Sequence, residues 1–257
     1  MAIILCIANQ KGGVGKTTTA VNLSAALAVS GKRILLVDCD PQGNATTGIG
    51  LEKSTMEKTL YHGLIGGATA KSLICGTCVE GLKVIPSRTE LTGFEVEMVS
   101  HPHRELALRN LLADIVSLFD YIILDCPPSL SLLTVNAMTA AHFVLIPLQC
   151  EFYALEGLGQ LLQTVKRIKR SLNPELKIAG ILLTMFDKRT NLSHQVAEDT
   201  EKHFKDRVFK TIIPRNVKLG EAPSYGMPIF MYDSTSMGAQ RYFDLAEEIM
   251  RHGSGTP

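Results

Sequence analysis

The chain has 257 residues, 46% of them hydrophobic, and 26 Lys and Arg against 25 Asp and Glu for a formal net charge of +1. That length and apolar content suffice for one large core, and the near-neutral balance gives no overall signal for nucleic acid or for acidic partners. No run approaches the ~18 apolar residues of a membrane span, and the run Ile3 to Ala8 is too short for a secretory segment, so a soluble, cytoplasmic protein is expected.

Ile3 to Ala8 reads as a strand, and Thr17 to Ser30 reads as a helix closed by Gly31. Between them lies Gln10-Lys11-Gly12-Gly13-Val14-Gly15-Lys16-Thr17-Thr18. Strand, glycine-rich turn and helix form the context that a phosphate-binding loop needs. Glycines let the backbone curl so that its N–H groups converge on phosphate oxygens, and the helix start adds free N–H groups and a partial positive charge. Lys16 supplies a point charge for the outer phosphates and Thr17 a hydroxyl for Mg²⁺. The usual loop has glycine where this chain has Gln10, and no lysine where this chain has Lys11. The loop implies a nucleoside triphosphate.

Further aliphatic runs follow at Ile34 to Asp38, Leu82 to Pro86, Tyr121 to Asp125, Phe143 to Pro147, Ile178 to Thr184 and Val208 to Ile213. Apolar residues at helical spacing mark Arg104 to Leu118 and Ala154 to Leu172, and Ala239 to Arg251 reads as the last helix. Nearly continuous apolar strands alternating with amphipathic helices predict an α/β fold: a doubly wound, mostly parallel sheet of about seven strands, P-loop NTPase-like. The expected organisation is one domain over residues 1–252 and a disordered tail over 253–257. The stretch from Gly43 to Thr77 reads as loop. Ligands of such sheets sit beyond the carboxyl ends of the strands.

Two strands run into aspartates there. Ile34 to Val37 leads to Asp38-Cys39-Asp40-Pro41-Gln42-Gly43-Asn44, and Tyr121 to Leu124 leads to Asp125-Cys126-Pro127-Pro128. Each aspartate can cap a helix or open a turn. Beside a phosphate loop, Asp125 also suits the metal side, because Mg²⁺ prefers oxygen ligands and keeps several waters. Asp40 suits the positioning of an attacking water, while Asp38 fits either a direct or a supporting place. Cys6, Cys39, Cys126 and Cys150 lie in or beside apolar runs and read as small buried residues. Cys75 and Cys78 form a lone C-x-x-C without a second pair.

These segments together resemble the short ParA/Soj-type ATPases of the deviant Walker A class, which also contains MinD and the nitrogenase iron protein. Lys11 to Thr18 is similar to the class-defining loop, Asp38 to Asn44 to its switch segment, and Asp125 to Pro128 to its Walker B strand end. Pro147 to Gly157 and Ile213 to Ser224 resemble segments typical of the partition branch. The resemblance implies ATP and Mg²⁺, with Lys11, Gly12, Gly13, Val14, Gly15, Lys16, Thr17 and Thr18 around the phosphates and Pro214 and Asn216 bracketing the adenine. It implies catalytic roles for Lys11, Lys16 and Asp40, and a metal site on Thr17 and Asp125. It further implies an ATP-dependent homodimer across which Lys11 reaches the partner's phosphates, non-specific DNA contact through Arg189 and Lys218, and a ParB-like centromere-binding partner that stimulates hydrolysis.

Residues 151–218 hold 13 Lys and Arg against 8 Asp and Glu, so Arg189 and Lys218 fall in the positively charged part of the chain. Lys166, Lys169 and their neighbours on the 154–172 helix read as a solvated face or as a further DNA contact. With ten residues before the loop, an operator-binding helix-turn-helix is not expected. A MinD-like membrane surface role would ask for a basic amphipathic last helix, whereas Asp244, Glu247 and Glu248 lie there; stable membrane association is not expected. An iron–sulfur carrier would lean on Cys126. A ParA-like positioner of some cargo other than DNA shares all of these features.

Overall fold

Short, mostly aliphatic runs form the strands β1 (Ile3–Ile7), β2 (Ile34–Asp38), β4 (Leu82–Ile85), β5 (Tyr121–Asp125), β6 (Phe143–Gln149) and β7 (Lys177–Thr184), and the pair Cys75–Gly76 forms the short β3. The structure is a computed structural model that describes residues 2–253. The strands lie in the order β3-β4-β2-β5-β1-β6-β7, parallel throughout except for the antiparallel edge strand β3. The longer helices are α1 (Lys16–Val29), α2 (Leu132–Ala140), α3 (Ala154–Ser171), α4 (Asn191–Phe204) and α5 (Met237–Gly253). Gly253 thus closes the last helix, and the rest of the expected tail lies outside the described residues.

The two faces of the sheet bury separate cores, and strand alternation assigns each side chain to one of them. Leu5, Ile7, Ile34, Leu36, Tyr121 and Ile123 face the core shared with α1 and α5. Ile4, Cys6, Leu35, Val37, Ile122 and Leu124 face the opposite core, with α2 and α3. The same parity sends Asp38 and Asp125, the last residues of β2 and β5 and register partners, to the α1 side. It sends Cys39 and Cys126 to the other. Alternation along the strands therefore separates the carboxylates from the thiols before any tertiary contact is considered.

Three expectations need correction. Val208 to Ile213 is not a continuous strand: it meets β7 through an isolated bridge of Val208 with Ile181 and through the Phe209 and Ile213 N–H groups, which donate to the Ile181 and Leu183 carbonyls, and the next residue, Pro214, bridges Phe186. The Phe209 ring packs over Gly180, where a Cβ would lie 2.7 Å from the ring, and this wedge holds the segment off a continuous ladder. The seventh strand is instead the short β3. Arg104 to Leu118 is not one helix but 3-10 turns flanking a helix at Ala107–Leu112. Its start is set by Asn136, whose Oδ1 accepts from the Leu108 N–H and whose Nδ2 donates to the Arg104 carbonyl. The stretch 43–77 is not all loop, since it folds short helices at Asn44–Gly48, Leu60–Leu64 and Ala70–Leu73.

The contact between Gly180 and Phe209 gives a test of the edge. Phe209 is 4% exposed and cannot swing into solvent, so Gly180→Ala should destabilise by about 1–3 kcal/mol through overpacking. Urea unfolding should show a lower midpoint with an unchanged slope.

Candidate functional site

The loop leaves β1 at the centre of the sheet and delivers Lys16 to the start of α1. Gly13 and Gly15 have φ of 75° and 87°, a left-handed backbone that side-chain-bearing residues rarely adopt, and Gly15 is the residue from which α1 begins. Asn9, buried at the end of β1, donates from Nδ2 to the Pro147 carbonyl (2.7 Å) and accepts from the Lys11 N–H (3.0 Å), bracing the loop against β6. On the far side the Thr184 hydroxyl, at the end of β7, donates to the Val14 carbonyl (2.9 Å). One turn into α1, the Thr19 hydroxyl meets the buried Tyr242 hydroxyl of α5 at 3.2 Å. The loop is therefore held from three sides by long-range contacts.

The two lysines differ in setting. Lys16 is 6% exposed, and its ammonium donates to the Lys11 carbonyl (2.8 Å). Burial pulls it below the usual lysine range, while the negative charge of Asp125 and Asp40 opposes that shift. Lys11 is half-exposed and forms an ion pair with Glu151 at 2.8 Å. Glu151, beyond the end of β6, also accepts from Gln149 Nε2.

The carboxylates lie on the α1 side as alternation requires. Asp38 is fully buried but well supplied: Oδ2 accepts from the Thr46 N–H (2.8 Å) and hydroxyl (2.7 Å), and Oδ1 from the Asp40 N–H (3.2 Å). Burial outweighs these bonds and pushes its pKa up to about 6. Asp40, 6% exposed, accepts from the Gln42 N–H (2.9 Å) and so holds its own turn. Asp125 is fully buried, and neither carboxyl oxygen has a hydrogen-bond partner. Burial, followed by the charge of Asp38, raises it well above the usual range. The Thr17 hydroxyl is near enough to temper that rise but short of full hydrogen-bond geometry.

Two unpartnered carboxyl oxygens facing the Thr17 hydroxyl fit a hard divalent cation that takes most of its ligands from water and phosphate. Among the described residues no cluster of three or more His, Cys, Asp or Glu could cage a metal alone. The thiols lie beneath: Cys6 Sγ and Cys126 Sγ are 3.2 Å apart and buried. Cys78 is exposed, its Sγ 3.4 Å from Met231 Sδ, while Cys75 lies on β3 at the edge.

Pro214 and Asn216 line a cavity of about 270 Å³ that also touches Gly15, Thr18, Thr184 and Tyr242, so the structure brings them to the loop. Asn216 has a local duty as well, since its Oδ1 accepts from the Lys218 N–H at the start of the helix Val217–Glu221. Asn44 and Thr47 face Thr17 and Thr18 across a second cavity of about 270 Å³. Arg189 lies farther out, paired with Asp187 through two bonds of 2.9 and 2.7 Å. Lys218 pairs with Glu221 at 3.6 Å and lies 5.4 Å from the centre of the Tyr232 ring. Asn9, Thr184, Tyr242 and Glu151 escaped the sequence reading. Only Glu151 had a signal, as the acidic residue inside the Pro147 to Gly157 segment.

A family model described as an AAA domain matches residues 2–178. The chain is 55% identical to the sporulation initiation inhibitor protein Soj of Bacillus subtilis over 253 residues, 98% of this chain and 100% of that one. It is 53% identical to the chromosome partitioning protein ParA of Myxococcus xanthus, covering 96% and 88%, and 49% identical to the chromosome-partitioning ATPase Soj of Thermus thermophilus, covering 96% and 94%. Among solved structures, one titled cobyrinic acid a,c-diamide synthase from Mycobacterium smegmatis, with bound ATP analogue and magnesium, matches at TM-score 0.88 and 37% identity over 99% and 97% of the chains. The cell division ATPase MinD of Pyrococcus furiosus matches at 0.82 and 27% over 98% and 100%.

The unpartnered Asp125 makes a prediction about the protein free of nucleotide and metal. Its folded pKa lies above the unfolded value of ~3.8, so above that value the folded state binds more protons and stability falls as pH rises toward the folded pKa. Asp125→Asn removes that loss. At pH 7.5 it should raise stability by about 1–3 kcal/mol, and a Tm series across pH 5–8 should be flatter than for the parent chain.

Proposed function

This chain belongs to the ParA/Soj family of chromosome-partitioning ATPases, and on that premise we propose that it is an ATP-switched DNA-partition protein. ATP and Mg²⁺ bind at the loop, two chains close face to face, and the closed dimer coats DNA without sequence preference. A ParB-like centromere-binding protein then stimulates hydrolysis and releases it. The observation that carries the reading is the pairing of two loop lysines with an unpartnered Asp125 at the same strand ends.

In this reading the backbone N–H groups from Gly12 to Thr18 cradle the phosphates and Lys16 offsets the charge on the outer ones. Thr17 and Asp125 would hold Mg²⁺, which would offset negative charge on the phosphate oxygens. Asp40 orients the attacking water and accepts its proton. Lys11 leaves Glu151 and reaches the phosphates held by the partner chain, offsetting charge that develops on the transferred group. The exchange costs little, because an ion pair this exposed contributes only about 0–1 kcal/mol. Pro214 and Asn216 flank the base, and Arg189 and Lys218 contact DNA phosphates.

Packing favours DNA over a membrane surface. No described helix is long and apolar enough to cross a membrane. The apolar face of α5, with Ala239, Tyr242, Leu245, Ala246 and Ile249, is buried against the α1 core, so it is not offered to a bilayer. Cys126 is 1% exposed beside Cys6, which does not suit a cluster shared between two chains. A cytoplasmic protein that joins the nucleoid when ATP-bound follows from this reading.

The test is retention on non-specific duplex DNA with ATP, with ADP and without nucleotide. ATP-specific, salt-sensitive retention is expected. It should persist in Asp40→Ala while hydrolysis falls about 100-fold or more, and it should vanish in Lys11→Ala. Equal retention in all three nucleotide conditions would overturn the switch.

A further inference from the structure

A cavity of a different character lies beside the nucleotide site. It is an open cleft of about 650 Å³ beyond the carboxyl end of β7, with an apolar floor including Phe186, Ile212 and Met237. Five cations line it, Lys188, Arg189, Lys210, Arg215 and Arg241, against one carboxylate, Asp187. Arg189 is paired with Asp187 and Arg241 with Asp244. Among the described residues Lys188, Lys210 and Arg215 have no carboxylate within ion-pair distance, although Asp187 senses the charge of Arg215 and is held well below its usual range, chiefly by its bonds to Arg189. Glu248, on α5, is engaged by the backbone N–H groups of Lys210 and Thr211 (2.8 and 3.0 Å).

The cleft adjoins the loop through a single run of chain. Thr184 bonds the loop, Met185 has a left-handed φ of 52°, Phe186 bridges to Pro214 and accepts from the Arg215 N–H (2.9 Å), and Asp187 orients Arg189. Pro214 and Arg215 are the wall between this cleft and the cavity at the loop. A non-glycine residue in that backbone region carries strain of order 1 kcal/mol and persists only where its neighbours hold it.

We propose that this cleft is a phosphate-binding seat for the DNA backbone, in which Lys188, Lys210 and Arg215 contact phosphates that Arg189 alone would not reach. The proposal rests on the DNA reading above. Three cations without carboxylate partners in an open cleft match the repeating negative charge of a backbone, and Arg189 and Arg241 can trade carboxylates for phosphates at little cost because both pairs are surface-exposed. The apolar floor offers contact for sugar edges, and no base-reading geometry is required.

The experiment uses the full chain with ATP and non-specific duplex DNA over a salt series. The Lys188→Ala, Lys210→Ala double variant is compared with the parent chain and with Lys166→Ala, Lys169→Ala on α3. Loss of two phosphate contacts should flatten the slope of log K against log salt by about 1.8 and weaken binding about 10- to 100-fold at 0.1 M salt. ATP-dependent dimerisation and unstimulated hydrolysis should be unchanged, and the α3 variant should bind as the parent does. A double variant with the parent's slope, beside a parent chain that binds, overturns the cleft and leaves the DNA reading standing. A parent chain that binds no DNA in any nucleotide state removes both. Loss of partner-stimulated hydrolysis with DNA affinity intact would reassign the cleft to an acidic peptide and equally overturn the proposal.

Discussion

Asp125 ends the central strand β5 with both carboxyl oxygens buried and unbonded, and the rest of the site is arranged around that unmet demand. Burying such a group without partners is costly, and proteins keep few of them. Asp38, its register partner on β2, shows the alternative at the same depth, with three donors turned toward it. The difference is local: the turn after β2 folds back to bring the Thr46 donors to Asp38, whereas the chain after β5 continues into Pro127 and Pro128, which have no N–H to offer. The backbone around Asp125 is nevertheless fixed, because its carbonyl accepts from the Cys39 N–H and the next N–H donates to the Ile7 carbonyl. An unsatisfied group on a rigid ladder is pre-positioned for a ligand that brings its own charge.

The two loop lysines divide the electrostatics by exposure. Lys16, pressed between the carboxylates and the loop carbonyls, is committed, since moving it would leave buried negative charge uncompensated. Lys11 is tethered by its backbone to Asn9 while its side chain rests on a half-exposed carboxylate. One lysine thus belongs to the core and the other to the surface, five residues apart, because the left-handed glycines reverse the chain between them. A loop with a single lysine would have only the buried kind.

What the sequence disclosed was local in origin. The glycine loop, the aspartates that end β2 and β5, and the alternation of buried residues depend on neighbours within a few positions, and each stands where periodicity placed it. The misreadings are non-local. Val208 to Ile213 has strand composition, but a ring packed on Gly180, nearly thirty positions earlier, denies it a continuous ladder. The helical pattern of Arg104 to Leu118 is real, yet Asn136 decides where helix begins. Asn9, Thr184 and Tyr242 brace the loop by contacts spanning 138 to 223 positions, and nothing in their immediate sequence distinguishes them from ordinary buried polar residues.

The positive charge of residues 151–218 shows the same limit more sharply. Read along the chain it is one excess; in the fold β7 divides it between the two ends of the sheet. At the amino end Lys166, Lys169, Lys177 and Arg207 border a groove of about 470 Å³ on the side of α3. At the carboxyl end Lys188, Lys210 and Arg215 border the larger cleft that shares a wall with the loop cavity. Parallel strands put all their carboxyl ends on one side of the sheet, so the second group lies on the side of the loop. Composition supplies the charge, and strand direction decides which part of it lies beside the loop.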